Sequence, residues 1–341
     1  MTYRDELIDK GDLNELTNYV DRVLEQEDWE ELVWTRDDCR AAAARGKQLW
    51  PITAYVNYGL ALRAPGDYAA AAIEDAAGPG AAAARFGFGP LPEVAASTHN
   101  WDELAGRLAT GPTASMVAHE CVIRGEDLSA VENVDGSVLD VPLALAGWEP
   151  AYELATYKIE KAEFPAPPRP DKTRWEKVDL AGTEFTADDD AADGRDALLE
   201  IAQHWSTESN GRTDGSGVSG TVDGALRSLG LTKVRLAEVS PAEAFAHMAW
   251  AGASGGAHGR RRGAATGRFA AWWAAGVLVD LSHDWPLSAA ELEVAVNEMR
   301  WYLWDEGAEP IGWSLRLAVE DPEAELAWAL VASDEALPDE D

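Results

Sequence analysis

Residues 312–333 read GWSLRLAVEDPEAELAWALVAS. Trp313, Leu315, Leu317 and Val319 alternate with Ser314, Arg316, Ala318 and Glu320, the period of two that marks a strand. Asp321-Pro322-Glu323-Ala324 interrupts the pattern as a turn would, and ELAWALVAS resumes it. A four-residue loop pairs Glu320 with Glu325 and sets the register of a hairpin. One face then carries Trp313, Leu315, Leu317, Val319, Leu326, Trp328, Leu330 and Ala332. The other carries small or polar residues. Such a hairpin belongs to an antiparallel sheet covered by helices on one side. Beyond it, the tail from Asp334 is acidic and is expected to fray, with 336–341 as an acidic end.

Upstream of the hairpin, the elements alternate in type. Ser288 and Glu291 form a capping box for a helix expected to reach about Trp304. Ser240-Pro241-Ala242-Glu243 opens another. Lys233–Glu238 and Thr183–Thr186 read as strands, and Arg195–Thr207 as a helix. Residues 206–224 are rich in Ser, Thr, Asp and Gly and read as a long loop. They contain a literal GxGxxG at Gly215, Gly217 and Gly220. No apolar strand precedes it, so a dinucleotide site is not expected.

Residues 2 to about 160 read as helices joined by short breaks. Leu13, Leu16, Val20 and Val23 share a face at helical spacing. Further helices are expected over 29–43, 49–64 and 113–124, and Asn100 with Glu103 makes a capping box. FPAPPRP at 164–170 reads as an extended linker. The fold class expected is therefore mainly α, with an α+β C-terminal domain. Its domains are a helical array at 1–160, a linker at 161–175, an α+β domain at 176–335 and the tail at 336–341.

Composition narrows function. The chain has 341 residues, 61 Asp and Glu against 28 Lys and Arg, and a formal net charge of −33. That balance opposes general nucleic-acid binding, which relies on basic side chains to neutralise phosphates. No apolar run approaches the roughly 20 residues a membrane helix needs. The N-terminus lacks the basic and apolar regions of a signal peptide. Two cysteines outside any CxxC fit a reduced, cytoplasmic setting and a structural role.

Against this acidity, GGAHGRRRGAATGRFAAWW at 255–273 is the one dense basic cluster. It reads as a helix running to Leu281 and capped by Ser254. Gly259, Gly263 and Gly267 line one face for close packing. His258, Arg260, Arg261, Arg262 and Arg268 form a candidate anion site, because helix N-termini and guanidinium forks both favour phosphate or carboxylate. The competing reading pairs these arginines with the chain's own carboxylates. No HExxH, zinc spacing, GxSxG or Walker motif is present, and neither metal nor cofactor is expected.

FGFGPLPEVAASTHNWDEL at 86–104, the basic stretch, and MRWYLWDEG at 299–307 resemble uncharacterised proteins of actinobacterial type. The resemblance spans both halves and implies no catalytic residues.

The leading expectation is a cytoplasmic binding or regulatory protein, with a protein partner or an anionic small molecule as its ligand. One rival is an enzyme acting on an anionic small molecule, with 206–224 as a lid and His258 or His204 as acid/base. Another is an acidic mimic of nucleic acid that binds a basic partner.

Overall fold

The structure, a computed structural model, describes residues 2–77, 88–132, 134, 136, 138–169, 174–307 and 312–335. The tail expected at 336–341 lies outside these residues. The chain forms two compact units that do not follow a single boundary at 160. The first comprises Met1–Val138 and Ala155–Phe164; the second comprises Leu139–Leu154 and Pro165–Asp341.

The first unit contains α1 (Tyr3–Lys10), α2 (Leu13–Glu25), α3 (Trp29–Ala44), α4 (Trp50–Arg63), α5 (Gly66–Ala77), α6 (Leu91–Ala96), α7 (Trp101–Leu104) and α8 (Pro112–Ile123). The short strands β1 (Thr156–Tyr157) and β2 (Ala162–Glu163) pair beside them. Helix α2 buries Leu16, Val20, Val23 and Leu24, as their spacing predicts, while Leu13, expected on the same face, is exposed. Helix α4 buries Ile52 and every residue from Val56 to Leu62. A helix apolar on nearly all sides belongs at the centre of a helical array, and α4 packs against α2, α3, α5 and α6. The capping boxes at Asn100 and Ser240 both form.

The second unit contains β3 (Glu176–Asp179), β4 (Thr186–Ala187), α9 (Ala192–Thr207), β5 (Arg212–Ser219), α10 (Val222–Ser228), β6 (Lys233–Val239), α11 (Pro241–Ala253), α12 (Ala264–Leu278), α13 (Ala289–Glu298), β7 (Arg300–Asp305), β8 (Trp313–Asp321) and β9 (Leu326–Asp334). Among the described residues its strands form one seven-stranded antiparallel sheet in the order β3-β6-β7-β8-β9-β5-β4. The sheet is thus much more than the terminal hairpin.

That hairpin, β8 with β9, keeps its expected faces but shifts its register. Asp321 pairs with Leu326 and Glu320 with Ala327. The turn begins one residue later than expected because the Asp321 carboxylate accepts from the Glu323 and Ala324 amides and so caps it. A shift of two leaves each side chain on its face. Both faces are covered, not one. On the bulky face, Trp328 donates to the Ala191 carbonyl just before α9, Phe245 of α11 meets Trp301 edge-on, and Trp250 stacks on Trp313. On the other face, Ala318, Ala327 and Ala329 are small enough to admit α10, whose Ala225 and Leu226 are buried among them.

Three further expectations are corrected. Residues 212–219 are a strand, β5, rather than a loop or lid. Its glycines admit close neighbours: a Cβ on Gly217 would meet the Ala191 carbonyl at 2.6 Å, and one on Gly215 would meet Leu199 at 3.2 Å. Residues 300–305 are strand β7, not the end of a helix. Trp301 and Leu303 face one side of the sheet and Tyr302 and Trp304 the other. Asp334 does not fray. It pairs with Trp313 at the end of β9 and is 1% exposed.

Candidate ligand cleft

The basic stretch is not one helix. Helix α11 ends at Ala253, with Ser254 as its C-cap, and α12 begins only at Ala264. Residues 254–263 turn back between them, and the Arg262 amide donates to the Ala253 carbonyl at 2.8 Å. Gly256 and Gly263 have φ of 78° and 102°, left-handed values that glycine adopts without strain and that stop helix propagation. The Arg260 backbone lies where a Cβ on Gly255 would project. The glycines do serve close packing, as their spacing suggested, but mainly through Gly267. It lies against the Ala249 carbonyl and Ala253 where α12 crosses α11. No helix starts at Ser254; the nearest helix N-terminus is that of α12, whose N-cap Gly263 directly follows Arg262.

The loop also separates the candidate residues. Arg268, on α12, is 1% exposed and committed inside the protein. Its Nε and Nη2 donate to the two oxygens of Glu149 at 2.7 and 2.8 Å, and Nη1 and Nη2 donate to the Pro142 and Ala144 carbonyls at 2.8 and 3.0 Å. Glu149 also accepts from the Tyr152 hydroxyl at 2.6 Å, Trp272 Nε1 at 3.0 Å and the Ala146 amide at 2.9 Å. Burial alone would raise the Glu149 carboxyl, but Arg268's hydrogen bonds and charge outweigh it and hold it below the usual range. Burial, then the Glu149 charge, pushes Tyr152 well above its ordinary value. Arg268 thereby ties 139–154 into the second unit. Trp148 helps by donating to the Ala289 carbonyl at 3.1 Å and meeting Phe245 edge-on at 4.8 Å. For Arg268, pairing within the chain is what the structure shows.

His258 and Arg260 are exposed and Arg261 is half-buried on the loop. The His258 amide donates to Ser209 Oγ at 3.0 Å. Ser209 in turn donates to Asp334 Oδ2 at 2.6 Å, and the Ala257 amide donates to the same oxygen at 2.5 Å. A buried carboxylate thus fixes the loop's backbone.

Arg262 turns the other way, towards α9. Its Nη1 lies 3.2 Å from His204 Nδ1. A guanidinium only donates, so Nδ1 accepts and the ring proton sits on Nε2. Nε2 donates to the Ser254 carbonyl. Burial first, and the Arg262 charge second, lower the His204 pKa and keep the ring neutral. Arg262 and His204 stand in the wall of a cleft of about 360 Å³ between α9 and α12, a size that suits a small molecule. Glu200 and Glu208 line it from the α9 side, and Phe269 and Trp273 from α12. His258 and Arg260 do not line it. Among the described residues, no group of three His, Cys, Asp or Glu could hold a metal ion.

A family profile matches residues 14–336. The chain belongs to the DUF6183 family. The function of that family is unknown. No curated protein and no solved structure matches the chain. The uncharacterised family that the three sequence stretches resemble is thereby shown, and the DUF6183 match runs through both units. The geometry of the cleft therefore carries the functional reading of this DUF6183 chain. Arg262 and His204 each stand out in the sequence, but no local signal joins residues 58 positions apart, and nothing local marks Glu149 as the partner of Arg268.

Proposed function

We propose that this DUF6183 protein binds a small molecule bearing an anionic group in the α9–α12 cleft, with Arg262 as its anchor. The observation that carries this reading is the placement of the Arg262 guanidinium. His204 orients it at the cleft wall, and the side chain remains exposed. An oriented guanidinium offers forked donors to carboxylate or phosphate with less ordering cost on binding.

Binding is favoured over the expected catalysis by His204 because both of its ring nitrogens are already hydrogen-bonded, so the ring is not free to act as acid or base. Strand β5 also removes the expected lid. A cytoplasmic location goes with this reading. It is supported by the unpaired, buried thiols of Cys39 and Cys121. Burial, then the Asp38 charge, pushes Cys39 up to about 12, so it suits packing better than redox chemistry. No helix among the described residues is long and apolar enough to cross a membrane.

Calorimetric titration with phosphate, benzoate and citrate tests the reading. At least one should bind saturably. Arg262→Met should weaken it roughly 10-fold or more, in line with loss of a charge-assisted hydrogen bond. Arg260→Met should leave it unchanged. Equal binding by wild type and Arg262→Met would refute the assignment.

A further inference from the structure

The lining of the cleft carries charges of both signs, and their order along α9 is regular. Glu200, His204 and Glu208 lie four residues apart and so on one face. At 1.5 Å rise per residue, successive members are separated by about 6 Å along the axis. Arg262 stands at the middle position, on His204 Nδ1. Each carboxylate therefore lies about one helical turn from the guanidinium's level. Glu208 favours protonation of His204, against the larger opposing effects of burial and Arg262.

The opposite wall is mainly apolar, with Thr266 beside Phe269, Ala270 and Trp273. Phe269 and Trp273 also lie four apart, on α12, and Trp285 meets both edge-on, with ring centroids 5.9 and 5.3 Å away. This packing holds both rings in place beside the charged row.

A phosphate or other polyanion suits this lining poorly. It would meet one guanidinium and two carboxylates, so added negative charge meets repulsion after the first contact. A simple cation would face Arg262. A ligand with one anionic and one cationic group, a few ångströms apart, satisfies both signs, and an apolar body would fill the space against the rings.

Resting on the reading that Arg262 anchors a ligand here, we propose that the cleft takes an amino-acid-like zwitterion with an apolar or aromatic side chain. The carboxylate bonds to Arg262, the ammonium to Glu208 or Glu200, and the side chain packs on Phe269 and Trp273. Glu208 and Glu200 then determine specificity, and Arg262 determines affinity.

Three probes with the same phenyl body separate these contributions: L-phenylalanine, 3-phenylpropanoate, which lacks the ammonium, and 2-phenylethylamine, which lacks the carboxylate. Calorimetry on the full chain should show phenylalanine binding at least about 10-fold tighter than either, the gain expected of one additional charge-assisted contact. The double variant Glu200→Gln, Glu208→Gln should erase the preference for phenylalanine over 3-phenylpropanoate, while Arg262→Met should weaken both. All three positions are exposed, and circular dichroism checks that the variants fold.

If 3-phenylpropanoate binds as tightly as phenylalanine, the zwitterion falls and the anion cleft stands. If none of the three binds but benzoate, phosphate or citrate does so through Arg262, the outcome is the same. If 2-phenylethylamine binds tightest, or if no probe and no anion binds, both fall.

Discussion

Arg262 and Arg268 stand six positions apart and meet opposite ends. Arg268 enters a site where every Glu149 lone-pair direction is taken and two backbone carbonyls face it. Removing one partner of such a buried pair leaves an uncompensated charge, so Arg268→Ala should cost about 3–5 kcal/mol in urea unfolding. Replacing both partners together, Arg268→Met with Glu149→Leu, should cost much less than the sum of the single changes. Arg262→Met, at an exposed side chain, should change stability by less than about 1 kcal/mol. A large loss from Arg262→Met would make that arginine structural too. The basic cluster was legible in the sequence, but its division was not. Glu149 lies 119 residues from Arg268, and no local pattern announces the pair.

Elements were legible where one face alone decides. Helix α2 and both faces of the β8–β9 hairpin follow from periodicity, and the capping boxes at Asn100 and Ser240 form where their residue types stand. Elements were misread where glycine or tryptophan suits two outcomes. Gly259, Gly263 and Gly267 at four-residue intervals look like a helix face, yet only Gly267 lies in a helix, and 254–263 is a loop that uses the positive φ of Gly256 and Gly263. Glycines in 212–219 look like a loop, yet β5 uses them to admit Ala191 and Leu199. Trp301 and Trp304 fit a helix stripe as well as opposite faces of β7. Close packing has a measurable consequence. Gly267→Ala, which sets a methyl against the Ala249 carbonyl, and Gly217→Ala, which sets one against Ala191, should each cost about 1–3 kcal/mol. Gly182→Ala, with nothing within 4 Å, should stay within about 0.5 kcal/mol. Thermal melts of the three variants check this order.

The whole molecule should lose stability in acid through identifiable groups. Burial pushes His247 from 6.5 down to about 4, and His204 is lowered in the same direction. Between those values the unfolded chain binds the proton and the folded chain does not, so stability falls as pH falls from about 6.5 towards 4. The His247 shift alone corresponds to on the order of 3 kcal/mol across that window. Glu149, depressed in the folded state, adds stability above its unfolded pKa that is lost as pH falls through its folded one, which is the same sign. Urea midpoints at pH 7.5, 6 and 4.5 should therefore decrease in that order, and His247→Gln should flatten the dependence. At this scale the helical first half and α+β second half were legible from composition and pattern. The assignment of 139–154 to the second unit was not, because Trp148 and Glu149 place it there through partners more than 100 residues distant.

The most direct measurement is nitrogen NMR of the chain with ¹⁵N-labelled histidine, titrated with L-phenylalanine. The free protein should show His204 neutral, with its proton on Nε2. The probe should shift the His204 Nδ1 resonance saturably as its carboxylate draws on Arg262, leaving exposed His258 unmoved. A charged His204 ring in the free protein at neutral pH, or a bound probe that leaves His204 Nδ1 unchanged, would contradict the placement of the ligand beside Arg262.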